Sequence, residues 1–432
     1  MGTEGAGADV MAELAWRGSV YQVTDEDLAA KLATARPVPV YVGFDATADS
    51  LHVGHLVGAF ALARFQRAGH RPIALVGGGT ALVGDPSGKE AERPLLTVEE
   101  IDANAAGIRA QLERFIEFGE GPTAGVLVNN ADWLRTLGLT DFLRDVGKHF
   151  TVNAMVAKES VRARLEEREQ GISYTEFSYM LLQAYDFLHL HDRLGCRLQG
   201  GGSDQWGNIT AGIDLTRRAR GAEVWGLTWP LLTKADGTKF AKTESGAVWL
   251  DPARTSPYRF WQFWVQVDDR DVLRYLRLLT FLDRAPLAAL EAEVAAHPEG
   301  RGAQRVLADE VTTAVHGRAA TAAARRAADA LFRGELRDLD ESTLLDVLAE
   351  APSTTRSRSD LAAGLGVVDL LVGTGLEPSR SAARATVGGG GAYVNDRRVT
   401  DPDQRVGEPD LLAGGYVVLR KGKRRYHLVR FS

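Results

Sequence analysis

Apolar residues in the first half of the chain come in short unbroken runs, separated by stretches with helical spacing. Residues 38–43, 72–77, 125–129 and 197–199 are such runs. They are too short for buried helices and mostly end in polar or Gly-rich segments, which predicts strands. Residues 56–68, just after the first run, predict a helix. Strands alternating with amphipathic helices predict an α/β domain on a parallel sheet over residues 1–250. Such sheets bind ligands beyond the carboxyl ends of their strands, so the residues following each run are where chemistry is expected.

From about 252 to 349 the pattern changes. Ala, Arg, Leu and Glu recur at 3.6-residue spacing with almost no strand signal, which predicts an all-helical domain over 251–350. Ala351-Pro-Ser-Thr-Thr-Arg-Ser-Arg358 favours extended or turn backbone and predicts a linker. Two short helical stretches and strands around Tyr393 and over 416–429 then predict a small α+β domain, completing 351–432. Gly388 to Gly391 reads as a turn, because neither a Lys-Ser/Thr pair nor a helix pattern follows it.

Composition narrows the function classes. The 432 residues are 45% hydrophobic and 25% charged, as in globular proteins. No apolar stretch approaches the roughly 20 residues needed to cross a bilayer. The N-terminal segment lacks the basic start and apolar core of a signal peptide, so a cytoplasmic protein is expected. The single cysteine, Cys196, excludes an intrachain disulfide and a cysteine zinc cluster. The net charge of −6 conceals an uneven distribution: from Val367 onward eleven Lys and Arg face seven Asp and Glu. Arg420, Lys421, Lys423, Arg424, Arg425 and Arg430 crowd the last strand-like stretch. Such a run is either a solvated face or a nucleic-acid contact.

Two clusters carry candidate chemistry. In the first, Tyr41-Val-Gly43-Phe-Asp45-Ala-Thr47 leads to His52-Val-Gly54-His55 at the mouth of the predicted helix. A helix N-terminus offers free N–H groups to phosphate, two imidazoles can donate to phosphoryl oxygens, and Gly54 lets a flat base approach the backbone. The alternative is two histidines on a surface turn. In the second, Lys234-Ala-Asp-Gly-Thr-Lys239-Phe-Ala-Lys242-Thr243-Glu-Ser-Gly246 places three lysines in nine residues, with glycines at 237 and 246. This is either a solvated loop or a cationic segment that neutralises charge on a departing pyrophosphate. Jointly they resemble the HIGH and KMSKS signatures of the class I aminoacyl-tRNA synthetases.

A third cluster points to the amino acid. Tyr179, Gln183 and Asp186 at i, i+4 and i+7 share one helix face, a polar face suited to a small polar ligand. It resembles the tyrosyl-specific branch of the family. There the helix Asp and the first strand's Tyr, here Asp186 and Tyr41, hold the substrate phenol hydroxyl, and Tyr179, Gln183 and Asp85 hold its ammonium group. Gly200-Gly-Gly-Ser-Asp204-Gln205-Trp-Gly-Asn208 follows a strand and opens a helix. By the resemblance Asp204 holds the adenylate ribose and Gln205 faces the activated carboxyl.

The resemblance further implies that Gly43, Asp45, Gly54 and Lys242 contact ATP. Thr47, His52 and His55 serve the phosphates from one side, and Lys89, Arg93, Lys239, Lys242 and Thr243 close from the other. It implies a Rossmann-like catalytic domain, a helical anticodon-side domain and a small RNA-binding fold. In the last, Arg380, Arg384, Arg397, Arg398, Arg420, Lys421, Lys423, Arg424 and Arg425 meet tRNA. Substrates would be L-tyrosine, tRNA(Tyr) and ATP with Mg2+, without a dedicated metal cage, in a homodimer.

The resemblance runs from about Tyr21 to the C-terminus. Three departures stand out: Ala46 where proline is common, Gly58 inside the helix where bulkier residues are usual, and the longer glycine run at 388–391. Gly58 should lower the propensity of the helix that presents His55. His189-Leu-His191-Asp192 offers too few ligands for a metal, and Trp225 and Trp229 read as packing. A tryptophanyl synthetase is the nearest rival, opposed by Tyr41 and Asp186, since indole has no hydroxyl for that pair. A noncatalytic RNA-binding scaffold is the rival of another class, opposed by the intact His52, His55, Lys239 and Lys242.

Overall fold

The computed structural model describes residues 9–83, 96–157, 161–162, 172–235, 237, 240, 242–243, 246–333, 336–349, 351–362, 364–422 and 425–432. They form two compact units. The first comprises Met1–Arg254 and Val265–Val315, the second Thr255–Trp264 and His316–Ser432. Residues 255–264 join the second unit: fully buried Phe260 packs edge-on against His316 at 4.8 Å.

The first unit is built on a six-stranded sheet. Its strands are β1 (Gln22–Val23), β2 (Pro39–Asp45), β3 (Arg71–Gly77), β4 (Val126–Asn129), β5 (Leu198–Gly202) and β6 (Trp225–Trp229), in the order β1-β6-β5-β2-β3-β4. All neighbours are parallel except β1 on β6. The central strands bury both faces, so β2 and β3 read as continuous apolar runs. Helix Leu56–Arg67 follows β2, and Tyr174–Leu194 packs along Trp206–Arg220. Helices Asp269–Leu279, Arg284–Ala296 and Gly302–His316 come later in the chain.

The expected parallel sheet is present, with two strands, β1 and β6, that the apolar runs do not predict. Trp225–Trp229 is β6, a wholly buried strand whose two tryptophans looked like isolated packing residues. The fourth strand also extends to Gly202, through glycines that resembled a loop. A Cβ on Gly200 would lie 2.8 Å from the Trp229 ring, so the bare backbone there lets β6 carry a large side chain. Gly58 has a similar cause: its Cβ would stand 3.3 Å from Val42 Cγ1 and 3.5 Å from Trp229 Cζ2. Helix Leu56–Arg67 lies close on the sheet, and propensity is sacrificed to that contact.

Two further strands follow the cavity-forming half: β7 (Lys242–Thr243) pairs antiparallel with β8 (Gly246–Ala247). The second unit contains helices Arg318–Arg333 and Glu341–Val347. After them come β9 (Ser353–Arg356), β10 (Leu365–Gly366), β11 (Ala392–Val394), β12 (Arg397–Val399), β13 (Arg405–Val406), β14 (Tyr416–Lys421) and β15 (Arg425–Phe431). Five make a sheet ordered β12-β11-β14-β15-β9. The expected linker is therefore partly a strand, because residues 353–356 pair parallel with the edge of β15. Helices Val367–Gly373 and Arg380–Gly388 bury Leu370, Leu371, Ala383 and Val387 in one cluster with Val417, Leu419 and Val429.

Candidate active site

Where β2 and β5 lie side by side, connections leave the sheet in opposite directions, and a crevice opens beyond their carboxyl ends. A cavity of about 530 Å³ occupies this place. It is lined by Tyr41, Gly43, Asp45, His52, Gly54, His55, Tyr179, Gln183, Asp186, Asp204 and Gln205, so one space gathers the histidine cluster, the polar helix face and the end of the glycine-rich strand, and it meets the cationic segment at Gly237. Thr47 is exposed and not among the lining residues. Asp85, Lys89, Arg93 and Lys239 lie outside the described residues, as do Lys423 and Arg424. Lys242 and Thr243 are placed by their backbone in β7.

One end of the cavity is a buried acid in an aromatic frame. Asp186 is 2% exposed. Its Oδ1 accepts the Trp133 indole N–H at 2.7 Å and its Oδ2 the Asn130 amide at 2.9 Å. Burial pushes the carboxyl up to about 7, against the pull of those two donors. Tyr41 faces the same space, with its hydroxyl buried and without a partner among the described residues. Burial and then the Asp186 charge raise that phenol well above its ordinary value, so it stays a protonated donor. A carboxylate and a phenol with hydrogen-bonding capacity left over can together hold one hydroxyl.

Asn130 fixes this end rigidly. Its Oδ1 accepts the Gly79 N–H at 2.7 Å, and its amide also donates to Thr80 Oγ1 at 3.0 Å. At the middle of the cavity the Gln183 amide donates to Gln205 Oε1 at 3.2 Å, while the Asn208 amide donates to Gln183 Oε1 at 2.9 Å. Asn130, Trp133, Thr80 and Asn208 carried no role in the sequence reading. Asn130 had a signal, since it stands one residue beyond a strand end. Trp133 had none, because its partner lies 53 positions away.

The other end is set by the histidines. The His52 N–H donates to His55 Nδ1 at 3.1 Å, and the Gly54 N–H donates to His52 Nδ1 at 3.1 Å. With both Nδ1 atoms accepting, the proton of each neutral ring sits on Nε2. The rings stand 4.0 Å apart at the start of helix Leu56–Arg67, so two N–H donors are presented beside the helix's positive end. Asp204, exposed at the cavity wall, follows β5 and precedes helix Trp206–Arg220.

The remaining histidines of the sequence reading have structural partners. His189 stacks on Trp133 at 4.4 Å, His191 Nδ1 lies 2.9 Å from the Cys196 carbonyl oxygen, and Asp192 pairs with Arg220 at 2.7 Å. In the second unit, Arg380 and Arg384 lie on one helix face and pair with Asp369 and Asp403. Arg397, Arg398 and Arg425 are exposed, and Arg398 Nε–H donates to the Gly390 carbonyl at 2.7 Å. Arg420 is differently placed from a solvent-facing phosphate contact: its guanidinium binds Asp396 at 2.6 Å and lies 3.7 Å over the Tyr393 ring. Lys421 pairs with buried Glu377 at 2.8 Å.

Comparisons with known proteins extend over nearly the whole chain. Residues 33–333 match the family tRNA synthetases class I (W and Y), and residues 344–429 match the tyrosine–tRNA ligase SYY-like C-terminal domain. A tyrosine–tRNA ligase of Roseiflexus castenholzii is 54% identical over 98% of this chain and 99% of its own length. One from Geobacillus stearothermophilus is 51% identical over 98% of this chain and all of its own. The crystal structure of a C-terminally truncated Aspergillus nidulans mitochondrial tyrosyl-tRNA synthetase superposes with a TM-score of 0.67 at 31% identity, covering 75% of this chain and 94% of that one. A Plasmodium falciparum tryptophanyl-tRNA synthetase, at 14% identity and a TM-score of 0.54 over 78% of this chain and 87% of its own, shares the fold. This chain belongs to the tyrosine–tRNA ligase family of the class I aminoacyl-tRNA synthetases.

Proposed function

We propose that the chain joins tyrosine to its tRNA in two steps, both in the cavity of the first unit. The observation that carries the amino-acid choice is the buried pair of Asp186 and Tyr41, with Trp133 and Asn130 holding the acid from behind. The substrate phenol enters there, donating to Asp186 and accepting from Tyr41. Its ammonium group meets Tyr179, Gln183 and Asp85, and its carboxylate points toward Gln205. ATP lies beyond, with adenine over Gly54, the ribose on Asp204 and the phosphates at His52, His55 and Thr47.

The carboxylate then attacks the α-phosphorus in line, a bond forms to that phosphorus, and pyrophosphate leaves. The enzyme works by positioning and by stabilising charge. The Nε2–H groups of His52 and His55 donate to phosphate oxygens, and Lys89, Arg93, Lys239, Lys242 and Thr243 neutralise the departing pyrophosphate. Magnesium arrives as part of MgATP and takes its ligands chiefly from phosphate and water. In the second step a hydroxyl of the tRNA's terminal adenosine attacks the tyrosyl carbonyl and releases AMP. Residues 251–350 serve the anticodon side of the tRNA, and 351–432 bind RNA through Arg380, Arg384, Arg397, Arg398 and Arg425.

The working form is a cytoplasmic homodimer. Leu139 and Leu143 on helix Leu139–Asp145, and Val152 and Val156 on helix Val152–Val156, are exposed pairs four residues apart, and Tyr174 is 74% exposed nearby in sequence. Soluble monomers rarely leave so many apolar side chains uncovered in one segment. Tyr41→Phe tests the site. It deletes one partner of the phenol hydroxyl and should cut the preference for tyrosine over phenylalanine about tenfold in competitive activation. An unchanged preference would remove Tyr41 from recognition.

A further inference from the structure

The cationic segment must meet the phosphates at a fixed distance from His52 and His55, yet its described flank, residues 231–235, has no strand neighbour in the main sheet. Helix Asp269–Leu279 supplies the missing support. Asp271, Arg274 and Tyr275 share one of its faces. Asp271 Oδ2 accepts the Ala235 N–H at 2.9 Å, Arg274 donates to the Leu231 carbonyl at 2.9 Å, and the Tyr275 hydroxyl donates to the Thr233 carbonyl at 2.8 Å. Buried Phe240 packs on the Tyr275 ring, centroids 4.4 Å apart.

The far end of the same helix is gripped by buried arginines. Arg64, on helix Leu56–Arg67, donates to the carbonyls of Leu278 and Thr280, both at 2.8 Å. Arg17 donates to the carbonyls of Arg277 at 3.0 Å, Thr280 at 3.1 Å and Leu282 at 2.8 Å. Arg64 is 4% exposed. Its guanidinium lies between the Phe60 and Phe281 rings, 5.4 and 5.5 Å from their centroids, and its hydrogen bonds go to the carbonyls of a helix end, where the dipole is negative. Burial, and next the Arg17 charge, lower its pKa to about 9, so this cation is kept at some cost. A buried arginine serving one helix end is a costly choice if packing were the only need.

The helix carrying Arg64 is the one that begins at His55. Beyond the cationic segment, the chain returns to the other histidine: the Val53 N–H donates to the Val248 carbonyl at 3.0 Å and the Leu250 N–H to the Leu51 carbonyl at 2.8 Å, bridging His52 to Trp249. We propose that helix Asp269–Leu279 is a strut that fixes the 231–235 flank of the cationic segment relative to the histidine pair, with Tyr275, midway along it, and Arg64, at its C-terminal end, as positioning residues. This rests on the ATP-dependent reading of the site. From Asp271, which holds Ala235, to Leu278, whose carbonyl Arg64 holds, the helix rises about 10 Å, and Asp271, Arg274 and Tyr275 are not among the residues lining the cavity.

The test uses the full-length chain, its Tyr275→Phe and Arg64→Lys variants, and the double variant. Pyrophosphate exchange gives kcat and KM for ATP, and equilibrium dialysis gives the tyrosine Kd. Tyr275→Phe should lower kcat roughly fivefold with the tyrosine Kd within about twofold of wild type, since only the transition state feels the segment's position. The double variant should lose less than the product of the two single losses, because either change alone already frees the strut. An unchanged kcat in Tyr275→Phe, a tyrosine Kd weakened in parallel with it, or strictly multiplicative losses would overturn the strut. If Arg64→Lys does not fold, Arg17→Lys replaces it in the cycle with the same expectation. Wild-type chain without any exchange refutes the underlying reading, whereas normal wild-type exchange with an unaffected Tyr275→Phe refutes the strut alone.

Discussion

Replacing Trp133 by phenylalanine removes one hydrogen-bond donor from the phenol end of the cavity and keeps an aromatic ring against His189. The indole N–H is one of two groups that favour the charged form of Asp186, a carboxyl raised by burial to about 7. A hydrogen bond to a buried charge contributes about 1.5–3 kcal/mol. Trp133 is only half-buried, so water makes good part of the loss, and about 1 kcal/mol remains, a fivefold effect. The sign follows from proton linkage. A substrate phenol donates to the ionised carboxylate and so binds that form better; as pH falls through about 7 the acid takes up a proton, and tyrosine affinity must fall.

In Trp133→Phe the same fall should begin at a higher pH, giving about threefold weaker tyrosine binding near neutrality, approaching about fivefold at lower pH, and recovery towards wild type in alkaline buffer. Phenylalanine has no hydroxyl and should show neither the slope nor its displacement. Equilibrium dialysis of both amino acids from about pH 6 to about pH 9 measures this directly, a range set by the acid's raised value. Wild-type tyrosine affinity that stays flat across that range, or a Trp133→Phe deficit that persists unchanged in alkali, would refute the reasoning.

Lys242→Ala should slow adenylate formation about a hundredfold and leave the tyrosine Kd nearly unchanged, measured by single-turnover activation and dialysis; equal losses in both would mean that the segment shapes the tyrosine pocket. A chain ending at residue 349 should retain pyrophosphate exchange but lose much of its tRNA charging, with a shallower salt dependence of tRNA binding, because phosphate contacts by Lys and Arg beyond that point are gone. Undiminished charging with an unaltered slope would remove the C-terminal domain from RNA binding.

The fold of the first unit was largely legible because its central strands are buried on both faces and therefore read as unbroken apolar runs. Trp225–Trp229 escaped notice for the opposite reason: a Gly, a Thr and two tryptophans do not look like a strand until Gly58 and Gly200 are seen making room for Trp229. The linker that became β9 shows the same limit, since residues 353–356 owe their extended form to β15, more than seventy positions away. In the cavity, residues belonging to local motifs were found: His52 and His55 by adjacency, and Tyr179, Gln183 and Asp186 by helical spacing. Asn130, Trp133 and Asn208 act through partners distant in sequence, and no local pattern announces such a partner. Arg420 was misleading in the other direction. Its place in a basic run suggested RNA, whereas the fold occupies its guanidinium with Asp396 and Tyr393.

The central claim is that one cavity couples ATP chemistry to recognition of a phenol. Amino-acid-dependent exchange of labelled pyrophosphate into ATP, measured with each of the twenty amino acids in turn, tests both parts at once. The account predicts rapid exchange with tyrosine, a far slower rate with phenylalanine and none with tryptophan. Exchange supported equally by tyrosine and phenylalanine would contradict the role of Asp186 and Tyr41, and no exchange with any amino acid would contradict the account as a whole.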